Sequence, residues 1–140
     1  MTDSADDDRY ARARRAYAIQ LEVPEEELEQ RLAELLGERM AADAMAVGET
    51  AWVDDALSLR DRSLIVLAAL AAQGGVESRM RGHVRLALAH GLTPEELEAA
   101  MALLGVYAGY PKASVAIEVV ADELEQLGRP IPKRGSETAG

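Results

Sequence analysis

The run RDRSLIVLAALAAQGGVESRMRGHVRLALAHGLTPEELEAAMALLGVYAGYPK, Arg60 to Lys112, decides the fold. Its block Leu64 to Ala72 is apolar on every side, as expected of a helix buried in a bundle or at a subunit interface. Gln73-Gly74-Gly75 stops it. Val76, Met80, Val84, Ala87 and Leu88 then follow the spacing of an amphipathic helix, which His90-Gly91 ends with glycine in the usual capping place. Thr93-Pro94-Glu95-Glu96 has the form of a capping box, with threonine at the cap, glutamate three residues on and proline in the first turn. Leu97, Met101, Leu104 and Ala108 make the next buried stripe. Gly105 and Gly109 leave a small-residue edge that another helix could approach closely, with Gly109 as a C-cap the competing reading. Pro111 separates this helix from the last one.

Working outward, residues 1–8 are polar and acidic and are expected to be disordered. Tyr10, Ala13, Tyr17 and Leu21 predict a first helix over Arg9 to Leu21. Pro24 followed by Glu25, Glu26 and Glu27 predicts a helix start, since carboxylates favour the positive end of the helix dipole. Leu28, Leu32, Leu35, Leu36 and Met40 read as one apolar stripe, which Gly37 ends or kinks. Gly48 to Ser58, with the sole tryptophan Trp52, reads as a short helical piece or a connection. The last helix buries Ala116, Val119, Val120, Leu124 and Leu127, and residues 128–140 are expected to be a mobile tail. The pattern predicts an all-α, single-domain bundle of six to seven helices over residues 9–127, with no strand.

Composition agrees. The 140 residues suit one domain, and the apolar 49% comes from Ala, Leu and Val with no Phe. Such a chain favours helix over strand. A net charge of −10 argues against nucleic acid, whose phosphates are neutralised by Lys and Arg. The basic cluster Arg9, Arg12, Arg14 and Arg15 sits beside Asp6, Asp7 and Asp8 and predicts a salt-bridged helix face. With no cysteine, thiol redox chemistry and thiolate metal sites are excluded. The apolar run Ser63 to Ala72 is about half the length that spans a bilayer, so no membrane role and a cytoplasmic location are expected.

Around the helix Val76 to His90, Glu77, Arg81 and Arg85 are spaced by four and predict a solvated ion-pair ladder. On the opposite border lie Arg79, His83, Leu86 and His90. A histidine at the edge of a buried face is either a core residue satisfied by one hydrogen bond or a proton-transfer group in a cleft where Arg79 holds an anion. Two histidines seven apart make no metal site without a third ligand, so no metal is expected. Ser63 shows no His/Asp partners in the sequence.

In order, RSL at residues 62–64, the glycine break, HVRLAL at 83–88, HGLTPEEL at 90–97 and VYAGYPKAS at 106–114 resemble the carboxymuconolactone decarboxylase family. The upstream segment GETAWVDDALSLRDRSL at 48–64 is similar to the same family's, and the resemblance spans Tyr10 to Leu127. It implies the small all-helical, alkyl hydroperoxidase D-like fold, a homo-oligomer (trimer or hexamer) and decarboxylation of a small carboxylated lactone in aromatic catabolism without a cofactor. It implies further that His83 is the catalytic acid and Arg62 the carboxylate anchor, with Arg79 and Trp52 as further substrate-binding residues. The hydroperoxidase branch uses Cys-x-x-Cys, which this chain lacks. The family places a glutamate four residues before the histidine, whereas here that position is Arg79 and the nearest glutamate is Glu77. Either Glu77 re-enters the site as a second catalytic residue, or substrate or reaction has shifted. A shifted protein would be an isomerase or lyase on a related acid, or a non-catalytic ligand-binding or accessory protein of the same fold.

Overall fold

The computed structural model describes residues 4–52 and 55–133. They form seven α-helices: α1 (Ser4–Leu21), α2 (Leu28–Leu36) preceded by a 3-10 turn at Glu25–Glu27, α3 (Glu38–Ala51), α4 (Leu59–Gln73), α5 (Glu77–Ala89), α6 (Pro94–Ala108) and α7 (Tyr110–Gln126). No strand occurs among the described residues. Where one core was expected, the chain makes two compact units, Met1–Arg62 and Ser63–Gly140, each with its own apolar cluster.

In the first unit, Leu28, Leu32 and Ala41 are buried, with Tyr17, Leu21, Val23, Leu36 and Met45 packed against them. The expected stripe breaks after Leu36. Gly37, at φ +78°, resets the helical phase, so Leu35 and Met40 on either side of it are left exposed. Gly48 lies inside α3 and not in a connection, because the Tyr17 ring needs its missing side chain: a Cβ there would sit 2.6 Å from Tyr17 Cε2. The Tyr17 hydroxyl donates to Ala44 O at 2.5 Å, completing that contact.

The first helix begins at Ser4, ahead of the expected Arg9. Of the basic cluster, Arg12 pairs with Asp8 at 3.1 Å as read, whereas Arg14 lies beside Glu29 of α2 and over the Tyr10 ring. Residues 1–3 of the segment read as disordered lie outside the described residues.

The second unit holds the larger cluster, centred on Leu67, Met80, Val84, Leu97, Met101, Val120 and Leu124. The capping box forms in full: Glu96 N–H donates to Thr93 Oγ1 and Thr93 N–H to Glu96 Oε1, both at 3.2 Å. Gly109, at φ +98°, is both C-cap of α6 and N-cap of α7. Gly105 faces the Tyr110 ring, 2.8 Å from where a Cβ would lie, so its close approach is to the next helix of the same chain. All-round apolarity of α4 does not mean all-round burial, since Leu67 and Ala71 are buried but Ile65 is exposed. Past α7, Arg129 N–H bonds Leu124 O at 2.9 Å and Ile131 packs on the core cluster. The first residues of the expected mobile tail are therefore docked, while residues 134–140 lie outside the description.

Candidate functional site

Helix α5 carries most of the polar groups singled out by sequence. Val76 precedes it without a side-chain cap, so Glu77 occupies the first helical position. There its Oε1 accepts from Gly75 N–H at 3.2 Å. Six residues on, about 9 Å along the axis and about 120° around it, comes His83. Glu77 and His83 share no hydrogen bond. Among the described residues, His83 Nδ1 is the buried side-chain nitrogen or oxygen that has no hydrogen-bond partner.

The ring as a whole is half-buried. Burial in apolar surroundings, with no acceptor to hold a second proton, pushes the His83 pKa from 6.5 down to about 4. At neutral pH the imidazole is therefore uncharged. An unpartnered buried polar atom costs on the order of 1–3 kcal/mol. A bare structural histidine would shed that cost by acquiring one hydrogen bond; His83 has not.

The other face of α5 behaves differently from the solvated ladder expected there. Arg81 and Arg85 reach across to α7 instead of pairing with Glu77. Arg81 Nη1 donates to Asp122 Oδ2 at 2.6 Å and to Glu123 Oε2 at 3.3 Å, and Arg85 Nη1 donates to Glu123 Oε1 at 2.5 Å. Glu123 is 3% exposed. The Asp122 hydrogen bond is the main reason the Arg81 pKa is raised further. This cluster fixes α5 against α7 and sequence reading missed it. Its signal was legible: Glu123 stands seven residues after Ala116, on the buried face of α7, opposite two arginines spaced by four.

Arg79 is exposed on α5, one turn before His83. Arg62 belongs to the first unit, where Nε donates to Leu57 O at 3.1 Å and Nη1 to Ala51 O. Its guanidinium holds the chain between α3 and α4. Trp52, also in the first unit, is buried and caps α3 through its N–H to Gly48 O at 3.2 Å. Of the five residues singled out, Glu77, Arg79 and His83 thus share one helix, and Arg62 and Trp52 sit together at the end of the other unit.

A second missed pair joins α4 to the end of α5. Ser63 Oγ lies 2.7 Å from His90 Nδ1, although the sequence offered Ser63 no partner. Ser63 is wholly buried, so the pair is a clip between helices and not an exposed nucleophile. A lone serine in an otherwise apolar run was its signal. Among the cavities on the second unit are three lined by described residues. One of about 250 Å³ lies at the Gly74-Gly75 turn, one of about 440 Å³ between α4 and α6, and one of about 280 Å³ between α6 and α7. His83 lines none of the three. Among the described residues no three His, Asp or Glu side chains are grouped to hold a metal ion. No described helix is long and apolar enough to cross a membrane.

The chain is all-α, as the sequence resemblance implied, and it belongs to the carboxymuconolactone decarboxylase family, whose profile matches residues 38–122. A relative named 4-carboxymuconolactone decarboxylase, from Acinetobacter baylyi, is 31% identical over 77 residues, covering 55% of this chain and 57% of the relative. The match thus spans little more than half the length of that protein. No solved structure matches the chain.

Proposed function

We propose that the protein is a cofactor-independent decarboxylase of a small carboxylated lactone or a closely related acid, with His83 as the proton-transfer residue. The observation that carries this reading is the unpartnered, neutral His83 imidazole in a family named for decarboxylation. When the carboxylate leaves as CO2, the electron pair of the broken C–C bond passes into the lactone system and must be quenched by a proton. A buried imidazole with a pKa near 4 carries that proton in only about one molecule in a thousand at pH 7. An anionic substrate changes this, because a carboxylate beside the ring offsets the desolvation cost of imidazolium. His83 then loads its proton on substrate binding and delivers it after CO2 departs. Arg79, one turn away and exposed, supplies a cation to a second carboxylate.

The test is CO2 release from 4-carboxymuconolactone by the protein and by His83→Ala. The expected loss in the variant is about a hundredfold, the size of a positioned acid. Equal rates, or no release by either protein, would overturn the reading. As a proton donor, His83 also requires that kcat fall as pH rises; a fall toward low pH would mean it works as a base, the isomerase or lyase chemistry. A non-catalytic ligand-binding role has two observations in its favour, the engagement of Arg62 with the Leu57 and Ala51 carbonyls and the absence of His83 from the lining of the three cavities. Binding of the lactone without CO2 release would select it. The same proposal takes the protein to be a homo-oligomer, trimer or hexamer, associating through the exposed apolar stripe Leu103, Val106, Tyr107 and Tyr110. Light scattering during gel filtration checks this, and a monomer would exclude it.

A further inference from the structure

The cavity at the Gly74-Gly75 turn is walled by Ala71, Met80, Val115 and Ala116, and it carries two charged side chains of opposite sign, Glu77 and Lys112. Each is fixed by backbone. Glu77 Oε1 accepts Gly75 N–H, and Lys112 Nζ donates to Ala72 O at 2.9 Å and Gln73 O at 3.1 Å. Among the described residues neither forms an ion pair, with the other or with any third group. An ammonium has three donors, so one of Lys112 remains; a carboxylate has a second oxygen, so Glu77 Oε2 remains. The two glycines, at φ +71° and +75°, present backbone in place of side chains at this turn, and a Cβ on Gly75 would meet nothing within 4 Å.

From this we infer that the cavity is a binding site for a small zwitterion with an apolar body, an aliphatic α-amino acid, distinct from the site around His83. The ammonium of such a ligand meets Glu77, its carboxylate meets the remaining Lys112 donor, and its side chain lies against Met80, Val115 and Ala116. Opposite charges that line one apolar cavity without pairing are complementary to a molecule bearing both charges and are mismatched to one bearing either alone. The volume, about 250 Å³, is that of roughly eight molecules of liquid water and so selects small ligands. Packing of two helix ends accounts for one bond on Glu77 and two on Lys112, and leaves the unpaired remainder and the apolar space between them without a role.

The experiment is a titration of the full chain with L-leucine at pH 7, followed by amide shifts in ¹H–¹⁵N spectra. Isoamylamine, which lacks the carboxylate, and 4-methylpentanoate, which lacks the ammonium, run in parallel. The expected result is saturation with a Kd on the order of 1 mM, with shifts at Gly74, Gly75 and Val115 and both analogues at least about tenfold weaker. Glu77→Gln, which keeps the acceptor for Gly75 N–H, should weaken leucine about tenfold without weakening 4-methylpentanoate. Lys112→Met should do the converse with isoamylamine. No saturation by roughly 20 mM leucine, shifts that map elsewhere, or an analogue binding as well as leucine would each overturn the assignment. Because the readout is binding at this turn, the result stands apart from whether His83 supports decarboxylation.

Discussion

Helix α5 meets two ionisable groups withdrawn from water, and they are treated in opposite ways. Glu123, reaching it from α7, is held by Arg81 and Arg85; His83, on the far side of the helix, has a buried nitrogen that nothing holds. A buried charge given two counter-ions is a fixed point of the structure, since each carboxylate oxygen already accepts from an arginine. A buried imidazole left unpartnered is a stability cost that the fold bears, and its free valence is available to something else. The lesson is that burial alone does not mark a functional residue. Burial without satisfaction leaves a group chemically available, and here the two conditions occur on opposite sides of the same helix.

Replacing each group with leucine is the sharpest way to break that comparison. Glu123→Leu should destabilise the protein by about 3–5 kcal/mol in urea unfolding, because Arg85, only 18% exposed at its side chain, loses its buried partner. If Glu123→Leu is neutral, the cluster is ornamental and the contrast fails. The pH dependence comes next. Above pH 6.5 the His83 imidazole is neutral in the folded and unfolded chains alike; as pH falls from 6.5 toward 4 the unfolded chain takes up the proton and the folded one resists it. Stability attributable to His83 is therefore lost through that window, by on the order of 3 kcal/mol, and the loss levels off below it. Thermal unfolding from pH 7 to pH 4 checks this, with His83→Leu expected to show a shallower decline than the parent.

At pH 7 the two leucine substitutions should differ in sign. His83→Leu removes an unsatisfied buried nitrogen and should raise stability by about 1 kcal/mol, while abolishing the proposed proton transfer. A marked loss of stability would mean that the imidazole makes a contact the fold depends on. Ser63→Ala, breaking the clip to His90, should cost about 1 kcal/mol. Smallest of all, Arg79→Ala should change stability by less than about 0.5 kcal/mol, as for an exposed side chain with no ion pair among the described residues, and should act on KM for a dicarboxylate.

Much of this architecture could be read from residue order. Thr93-Pro94-Glu95-Glu96 announced its helix start because both halves of a capping box lie within four residues. Met80, Val84 and Ala87 announced the buried face of α5 because a helix repeats its face at fixed spacing. What escaped was contact between segments far apart in the chain. Ser63 and His90 are 27 residues apart, and Arg85 and Glu123 are 38 apart, so neither pairing has a local signature. Gly48 escaped for the same reason: its role is set by Tyr17, on another helix. The candidate site was half legible. Periodicity put His83 on the border of the buried face, but the lack of a partner for Nδ1 and the attachment of Arg62 to backbone carbonyls are facts of three dimensions.

The one-residue link at Gly109 bears on how the chain reaches this state. Helices α6 and α7 are joined through that glycine and make the most extensive helix pairing among the described residues, tightened where Gly105 receives the Tyr110 ring. Contacts between neighbours in sequence close small loops and lose little chain entropy, so such a hairpin assembles early and quickly. It would then offer Ala116, Val119 and Val120 as a preformed surface on which α5 settles, with the Arg81 and Arg85 bonds to Glu123 forming late and acting chiefly on the rate of unfolding.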